Sequence, residues 1–423
     1  MFDCRVCQHV FERGGGTALV NHQPNHSQTV DTLRGFALLG IFVVNIQSYV
    51  WGMGAPMLGM IDAASSMWDK ATLVFIATIF EYKTYPIFCF CFGYGFAVLA
   101  RKWRILGVNS DYLFSRRLSF MLVLGLLHGV FIWFGDILAR YAIAGFVLKR
   151  GIRFGPRANW KRFKFWLAIH IGTSVILLTI AALFSFVDAI TLSAQVSAED
   201  PRIAMQLASE VYKTGGYWAQ TTARIGDFLY VLSSVFFLIP ALLCLFLLGT
   251  LAAQCRLLTL AHLPRYRTFW RNVALTAFAI GAPLSLAYGY LQLQAAERDN
   301  AVTTTVISLL GEFGPVLATG YIAAIALMSR PTDQPATWFY RLFAPAGRMA
   351  LTIYISQSIL MMIFLNGFFP TITYPYRDSQ LGLLGLSLAC YTGLLAIAHV
   401  FARHNLQGPL EILWRRHTNQ PRN

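Results

Sequence analysis

The strongest constraint on this chain is a series of long apolar segments, each close to the roughly 20 residues that an α-helix needs to cross a bilayer. Of its 423 residues, 56% are hydrophobic and only 13% are charged, whereas a soluble globular chain carries about 25% charged residues. A chain so poor in charge has too little polar surface to remain in water. The sequence therefore predicts an all-α, polytopic membrane helix bundle whose first partner is the lipid bilayer.

Windows of about 20 residues predict about ten transmembrane helices. The second is expected to break at Pro86, and the third and fourth form a hairpin. The predicted spans are Thr29–Val50, Ala71–Ala100, Tyr112–Phe134, Asp136–Leu148, Phe163–Val187, Asp227–Ala252, Trp270–Leu291, Thr303–Met328, Ala346–Phe369 and Gln380–Phe401. The predicted organisation is a flexible cytoplasmic tail over residues 1–28, a transmembrane helical domain over residues 29–402, and a cytoplasmic C-terminal tail over residues 403–423.

The formal net charge of +15 comes from Lys and Arg clusters in alternate loops between the apolar segments. Excess positive charge marks the cytoplasmic loops of membrane proteins. The alternation predicts that both termini are cytoplasmic. Because the charge serves orientation, no nucleic-acid partner is expected.

Cys4 and Cys7 have the spacing of a zinc knuckle, but no second Cys-x-x-Cys follows. A structural zinc site needs four ligands. We therefore expect no bound metal, and we interpret the N-terminal segment as a tail.

Three ionisable residues stand within one apolar hairpin, LHGVFIWFGDILARYAIAG, which begins at Leu127. Asp136 follows the predicted turn, where a helix N-cap is expected, and Arg140 four residues later can pair with it. His128 lies about two turns before that turn. Ionisable groups inside a membrane are rare and mark functional sites, although a structural cap and ion pair also explains Asp136 and Arg140. We select His128, Asp136 and Arg140 as candidate catalytic residues.

A second polar layer is predicted at the cytoplasmic side. Arg34 opens the first span and Arg348 opens the ninth, so both are placed to bind the phosphates of an anionic ligand. Each helix then reaches an amide, Asn45 or Gln357, near the middle of the membrane. Interfacial arginines also simply extend to water, so a structural role stays open.

Charged residues also accompany predicted helix breaks. Glu81 and Lys83 precede Pro86, and Glu312 lies between glycines and a proline in GEFGPVLATGY. Broken membrane helices expose backbone groups that need polar surroundings. These carboxylates indicate either a polar cavity or buried, paired structural groups.

Four motifs carry a family resemblance: DTLRGFALLGIFVVNI from Asp31, HGVFIWFGDILARYAIAG from His128, GRMALTIYISQS from Gly347 and GPLEILWR from Gly408. Together they resemble the YeiB-like family of bacterial inner-membrane proteins, domain of unknown function 418. The first motif is also similar to that of transmembrane acyltransferases, namely the acyltransferase 3 and heparan glucosaminide acetyltransferase families.

This resemblance implies a bacterial inner-membrane acyltransferase that moves an acyl group from cytoplasmic acyl-CoA, such as acetyl-CoA, to a glycan or similar acceptor. Arg34 and Arg348 would hold the donor, and Asn45 and Gln357 would donate hydrogen bonds along a tunnel. The acyltransferase 3 family carries a histidine where this chain has Asn45, which leaves His128 as the replacement base. The alternatives are a transporter of a small anionic solute and a non-catalytic descendant of an acyltransferase.

Overall fold

The computed structural model describes residues 28–52, 66–151, 153–191, 210–297, 301–331, 334–366 and 376–419. Apart from its last residue, the predicted N-terminal tail with Cys4 and Cys7 lies outside these ranges. Regular structure in the described ranges is helical: α1 (Gln28–Asn45), α2 (Ser48–Trp51), α3 (Met67–Ile79), α4 (Thr84–Ile105), α5 (Ser110–Phe131), α6 (Leu138–Lys149), α7 (Pro156–Thr191), α8 (Tyr217–Ser233), α9 (Val235–Gln254), α10 (Pro264–Glu297), α11 (Ala301–Gly311), α12 (Gly314–Leu327), α13 (Trp338–Arg348), α14 (Ala350–Leu365), α15 (Gln380–Arg403) and α16 (Pro409–Asn419).

The described helices confirm an all-α, multi-pass membrane bundle. Eight segments are long and apolar enough to cross a membrane, and the bent pair α13–α14 raises the number to nine. The prediction was about ten spans, and eight or nine are found among the described residues. The predicted span Asp136–Leu148 is not one of them, because it is the 12-residue α6, which at 1.5 Å per residue covers about 18 Å, well short of the roughly 30 Å hydrocarbon core.

The short α6 is one arm of a hairpin with the longer α5. Lys149 at the end of α6 donates to the Ser115 hydroxyl over 2.6 Å, and the exposed Arg153 lies 3.4 Å from Asp111 at the start of α5. The two helices are level at this end, and α6 has 12 residues whereas α5 has 22. Helix α6 therefore begins well short of the other end of α5. Residues 132–137 therefore fold back along the last turns of α5.

The second predicted span is broken, but not at Pro86. The break falls at residues 80–83 between α3 and α4, where Tyr82 has a φ of 59°. Pro86 instead lies in the first turn of α4, where a missing N–H leaves no helical hydrogen bond unmade. The buried Lys83 ammonium donates to the Ala77 carbonyl over 2.7 Å, so a side chain satisfies the backbone at the break.

Helix α1 runs through the centre of the bundle, and its Leu33, Leu38 and Val43 are fully buried. Close helix contacts depend on small residues, as in other membrane bundles. A Cβ at Gly35 would collide with the Phe343 carbonyl of α13, and one at Gly249 of α9 would collide with the backbone of α4. These glycines let α13 cross α1, and α9 lie against α4, at backbone distance.

Helices α13 and α14 meet at an angle of 81° around Met349. Glu411 of α16 satisfies the exposed start of α14: its carboxylate accepts the Leu351 N–H at 2.7 Å, the Thr352 N–H at 3.2 Å and the Thr352 hydroxyl at 2.5 Å. The region predicted as a C-terminal tail thus contains a helix that caps another helix. The motif from Gly408 and the motif from Gly347 meet at this contact.

Candidate functional site

The fold of the α5–α6 hairpin brings His128 and Asp136 together. His128 Nδ1 lies 2.8 Å from Asp136 Oδ2, and both side chains are buried. The other carboxylate oxygen accepts the Ala139 N–H at 2.8 Å, as expected for a residue at a helix start. This second bond holds the carboxylate in place toward the histidine.

The opposite nitrogen of the ring, His128 Nε2, is buried and has no hydrogen-bond partner among the described residues. A carboxylate that accepts the Nδ1–H of a histidine fixes the tautomer in which Nε2 carries a lone pair. A buried base held by an orienting carboxylate is the arrangement used for proton transfer to or from a nucleophile. The His128–Asp136 dyad therefore has the geometry of a general base.

Aromatic residues enclose the dyad. The Tyr354 ring of α14 lies 5.2 Å from the His128 ring and the Trp133 ring 6.3 Å from it. Tyr354 also accepts the Ile137 N–H at 3.3 Å, and Trp133 donates to the Ser48 hydroxyl over 3.0 Å. These contacts place the dyad at the α2 end of the first span.

The expected ion pair between Asp136 and Arg140 is not formed, because His128 takes the carboxylate. Arg140 is half-buried and donates from Nε to the Asp136 carbonyl at 3.0 Å and from Nη2 to the Gly135 carbonyl at 3.3 Å. Its guanidinium therefore fixes the backbone of the turn. Arg140 therefore stabilises the turn that carries Asp136 and is not itself part of the His128–Asp136 pair.

Arg34 lies at the other end of α1. Its guanidinium is 3.6 Å from Asp31 and donates to the Cys91 carbonyl at 3.4 Å, and its side chain is 23% exposed. It stands within electrostatic range of Arg117 of α5, which in turn is within range of Arg415 of α16. We call Arg34, Arg117 and Arg415 the arginine cluster.

Arg117 is held in the cluster by Trp414. Its guanidinium lies 3.9 Å from the centre of the Trp414 ring, and the indole N–H donates to the Arg117 carbonyl at 3.3 Å. Stacking on an aromatic face restrains a guanidinium without using its N–H donors. Those donors therefore stay available for an anion.

Arg348, the predicted partner of Arg34, is exposed at the bend between α13 and α14. The neighbouring Gly347 packs on the Asp31 backbone, so the bend brings Arg348 to the same end of the bundle as Arg34. Arg34 instead has Arg117 of α5 within electrostatic range.

The two predicted amides lie at different levels of α1. Gln357 is buried and donates to the Leu38 carbonyl of α1 at 3.2 Å. Asn45 is the last residue of α1, half-buried, and its carbonyl accepts the Ser48 hydroxyl at 2.6 Å. Gln357, which lies one turn after Tyr354 on α14, thus satisfies a backbone carbonyl of α1.

Arg117 and His128 are eleven residues apart on α5, which is close to three full helical turns. The two side chains therefore lie on the same face, about 16 Å apart along the axis. Sequence reasoning missed Arg117 because it counted this residue only as positive charge in a loop. The eleven-residue spacing and the Trp of GPLEILWR were the available signals.

No group of three or more His, Cys, Asp or Glu side chains with metal-binding geometry occurs in the described ranges. Cys4 and Cys7 lie outside those ranges. The ionisable side chains at the dyad and the arginine cluster are an imidazole, a carboxylate and guanidinium groups.

Comparisons with known proteins show similarity to uncharacterized bacterial proteins. A family model described as "Protein of unknown function (DUF418)" matches residues 252–421. The chain is 27% identical to the uncharacterized protein YxaH of Bacillus subtilis (strain 168) over 410 residues, 91% of this chain and 92% of that protein. It is 26% identical to the uncharacterized protein YeiB of Escherichia coli (strain K12) over 409 residues, 92% of this chain and 95% of YeiB. No solved structure matches.

Proposed function

The chain is a YeiB-like member of the DUF418 family, and from that premise we propose that it is an acyl-CoA-dependent acyltransferase of the bacterial inner membrane. The arginine cluster would bind the donor from the cytoplasmic side, and His128 would act as the base at the far end of α5. The acceptor would be an envelope glycan or a related polar molecule.

One observation carries the proposal: the Arg117 guanidinium and the His128 imidazole lie on the same face of α5, about 16 Å apart along the helix. In acyl-CoA, the extended pantetheine arm separates the pyrophosphate from the thioester. A donor whose phosphates contact Arg117 could therefore extend its thioester along α5 toward His128. Gln357, which is buried and donates to the Leu38 carbonyl of α1, would lie beside that route.

The arginine cluster suits a phosphorylated ligand because guanidinium groups bind phosphate oxygens with paired N–H donors. Arg34 is partly exposed and Arg415 is exposed, so an anion from the aqueous phase can reach them. Repulsion among three neighbouring cations decreases when a polyanion binds between them. Arg348 at the same end of the bundle would add to this attraction.

The proposed reaction is the attack of an acceptor hydroxyl or amine on the thioester carbonyl carbon. His128 Nε2 takes the proton of the nucleophile as the new C–O or C–N bond forms. The C–S bond then breaks, and the imidazolium returns the proton to the departing CoA thiolate. Asp136 keeps Nε2 unprotonated at the start and stabilises the imidazolium, while Arg140 holds the turn that carries Asp136.

The test is release of CoA thiol from acetyl-CoA by the purified protein in proteoliposomes that also contain an envelope-glycan extract. We expect the wild type to release CoA, and His128→Gln to lower the rate by about a hundredfold or more, as for loss of a general base. His404→Gln, at an exposed position, is the matched control and should keep the wild-type rate. Equal rates for wild type and His128→Gln would refute the assignment.

A proton-coupled transporter of a small anion is the second candidate, favoured by the charged break between α3 and α4. Lys83 is buried there and lies 4.9 Å from the Tyr288 ring centre, and Glu81 lies within electrostatic range of Lys83. Buried ionisable groups at a broken helix occur in proton and ion pathways. Anion uptake into proteoliposomes that is driven by a pH gradient and abolished by Glu81→Gln would favour this candidate.

A further inference from the structure

Arg224 of α8 is a buried cation near the dyad, in the region that the predicted spans leave between Val187 and Asp227. Its side chain is 1% exposed. Its Nη1 donates to the Phe131 carbonyl at 2.9 Å and lies 3.5 Å from the Val130 carbonyl. Arg224 therefore caps the end of α5, the helix that carries His128.

Those carbonyls occupy only one side of the guanidinium. Nη2 of Arg224 is buried and has no hydrogen-bond acceptor among the described residues. The carboxylate of Asp227 on the same helix accepts the Tyr212 hydroxyl at 2.6 Å, and the Tyr217 ring centre lies 5.9 Å from the Arg224 guanidinium. A buried charged donor without an acceptor is costly, so a ligand anion at Nη2 would stabilise Arg224.

Tyr49 connects Arg224 to the dyad. It is buried, and it lies within electrostatic range of both the Arg224 guanidinium and the Asp136 carboxylate. Its ring stacks on Trp133 at 5.4 Å, and Trp133 in turn faces the His128 ring. The aromatic wall of Tyr49 and Trp133 thus borders both buried nitrogens without partners among the described residues, Nη2 of Arg224 and Nε2 of His128.

Helix α8 approaches this wall closely enough to be part of one compartment. A Cβ at Gly129, next to His128, would collide with the Phe228 ring, which lies one turn after Arg224. Gln220, one turn before Arg224, donates to the Asn366 carbonyl at the end of α14. Helix α8 is therefore packed over the end of the bundle where α5 and α14 enclose the dyad.

We propose that Arg224, Tyr49 and His128 form one binding site for an acceptor that carries an anionic oxygen group, a phosphate or a carboxylate, beside its reacting hydroxyl or amine. Arg224 Nη2 binds the anion, the Tyr49 hydroxyl donates a second hydrogen bond to it, and His128 Nε2 receives the proton of the neighbouring nucleophile. Naming the ligand as the acceptor rests on the proposed acyl transfer, whereas the anion site itself does not.

The experiment is calorimetric titration of the detergent-solubilised protein with inorganic phosphate and, separately, with acetate, with glycerol as the neutral control. We expect saturable binding of at least one of the two anions and none of glycerol. Arg224→Gln should weaken anion binding by about tenfold or more, because hydrogen bonds to a charged group contribute at least that factor. Arg117→Gln should leave this binding component in place, since it alters only the other end of α5.

Two further variants guard against a folding artefact. Tyr49→Phe removes one hydroxyl and keeps the ring stacked on Trp133, and it should weaken anion binding about threefold to tenfold. Arg224→Lys keeps the charge and should bind more tightly than Arg224→Gln. The proposal is overturned if the wild type binds neither anion, or if Arg224→Gln and Tyr49→Phe both bind like the wild type.

Acetyl-CoA binding by the same variants separates this proposal from the proposed function. Arg224→Gln should bind acetyl-CoA like the wild type, since the donor site lies at the arginine cluster. Anion binding that depends on Arg224, in a protein that binds no acyl-CoA, would uphold the anion site and refute the acyl transfer. If the protein binds acetyl-CoA but its anion affinity does not depend on Arg224 or Tyr49, the anion site is refuted and the donor site of the proposed acyl transfer is supported.

Discussion

Arg117 and His128 lie on the same face of α5, three helical turns and about 16 Å apart. One is stacked on Trp414 at the arginine cluster, and the other is hydrogen-bonded to Asp136 at the opposite end of the helix. A single rigid element therefore sets the distance between an anion-binding end and a proton-accepting end. This spacing links the two halves of the proposed reaction.

Asp136→Asn should lower CoA release by about a hundredfold or more. The asparagine oxygen can still cap Ala139, but its amide then points at His128 Nδ1 and favours the tautomer whose Nε2 carries the proton. The measurement is the initial rate at saturating acetyl-CoA, with the thermal midpoint taken alongside. Asp378→Asn, which alters an exposed pair with Lys213, is the control; a wild-type rate for Asp136→Asn would contradict the role given to the dyad.

Gly125→Ala should disturb the dyad through packing alone. A Cβ at this position would lie 2.6 Å from Asp136 Oδ1 and even closer to the Ala139 amide nitrogen. Overpacking of this kind costs about 1–3 kcal/mol, so both the thermal midpoint and the CoA release rate should fall. Gly393→Ala in α15 meets nothing within 4 Å and should be neutral or slightly stabilising; similar behaviour of the two variants would argue against the close hairpin.

Glu411→Ala should destabilise the bundle at the α13–α14 bend by about 2 kcal/mol, because the start of α14 loses its cap. Thr352→Val removes one of the same hydrogen bonds, so the double variant should lose less than the sum of the two single variants. Unfolding in a denaturing detergent titration measures these differences. Strict additivity would show that Glu411 and Thr352 do not act together.

Lys83→Met separates the charged break from the proposed acyl transfer. It leaves the Ala77 carbonyl without the ammonium donor and should cost about 1–3 kcal/mol of stability. The acetyl-CoA affinity should not change, because the arginine cluster lies elsewhere. Lys161→Met, at an exposed position, should alter neither quantity, and a loss of acetyl-CoA binding in Lys83→Met alone would connect the break to the donor site.

The helical membrane architecture followed from the sequence because the length of an apolar segment depends on local composition. The hairpin of His128 and Asp136 was predicted, yet the partner of Asp136 was not. Spacing along the helix favoured Arg140, whereas the return of residues 132–137 along α5 brought the carboxylate to His128. Such a return depends on where α6 starts relative to α5, which a span count does not show.

Contacts between distant segments could not be predicted from the sequence either, because they also depend on how the helices are placed relative to one another. Arg224 gained significance only when α8 packed over the end of α5. Glu411 belongs to GPLEILWR, one of the four motifs that carry the family resemblance. Its role as a cap for α14 depends on residues about 60 positions earlier in the chain. The sequence prediction placed the helix break at Pro86, whereas it falls just before, between α3 and α4. A proline is tolerated in the first turn of a helix and need not interrupt it.

The most direct test of the central claim is equilibrium binding of labelled acetyl-CoA to the purified protein, the Arg117→Gln variant and the His128→Gln variant. The two-ended arrangement predicts saturable binding by the wild type, binding at least about tenfold weaker for Arg117→Gln, and wild-type affinity for His128→Gln. Absence of saturable binding of acetyl-CoA and of longer acyl-CoAs to the wild type would contradict it.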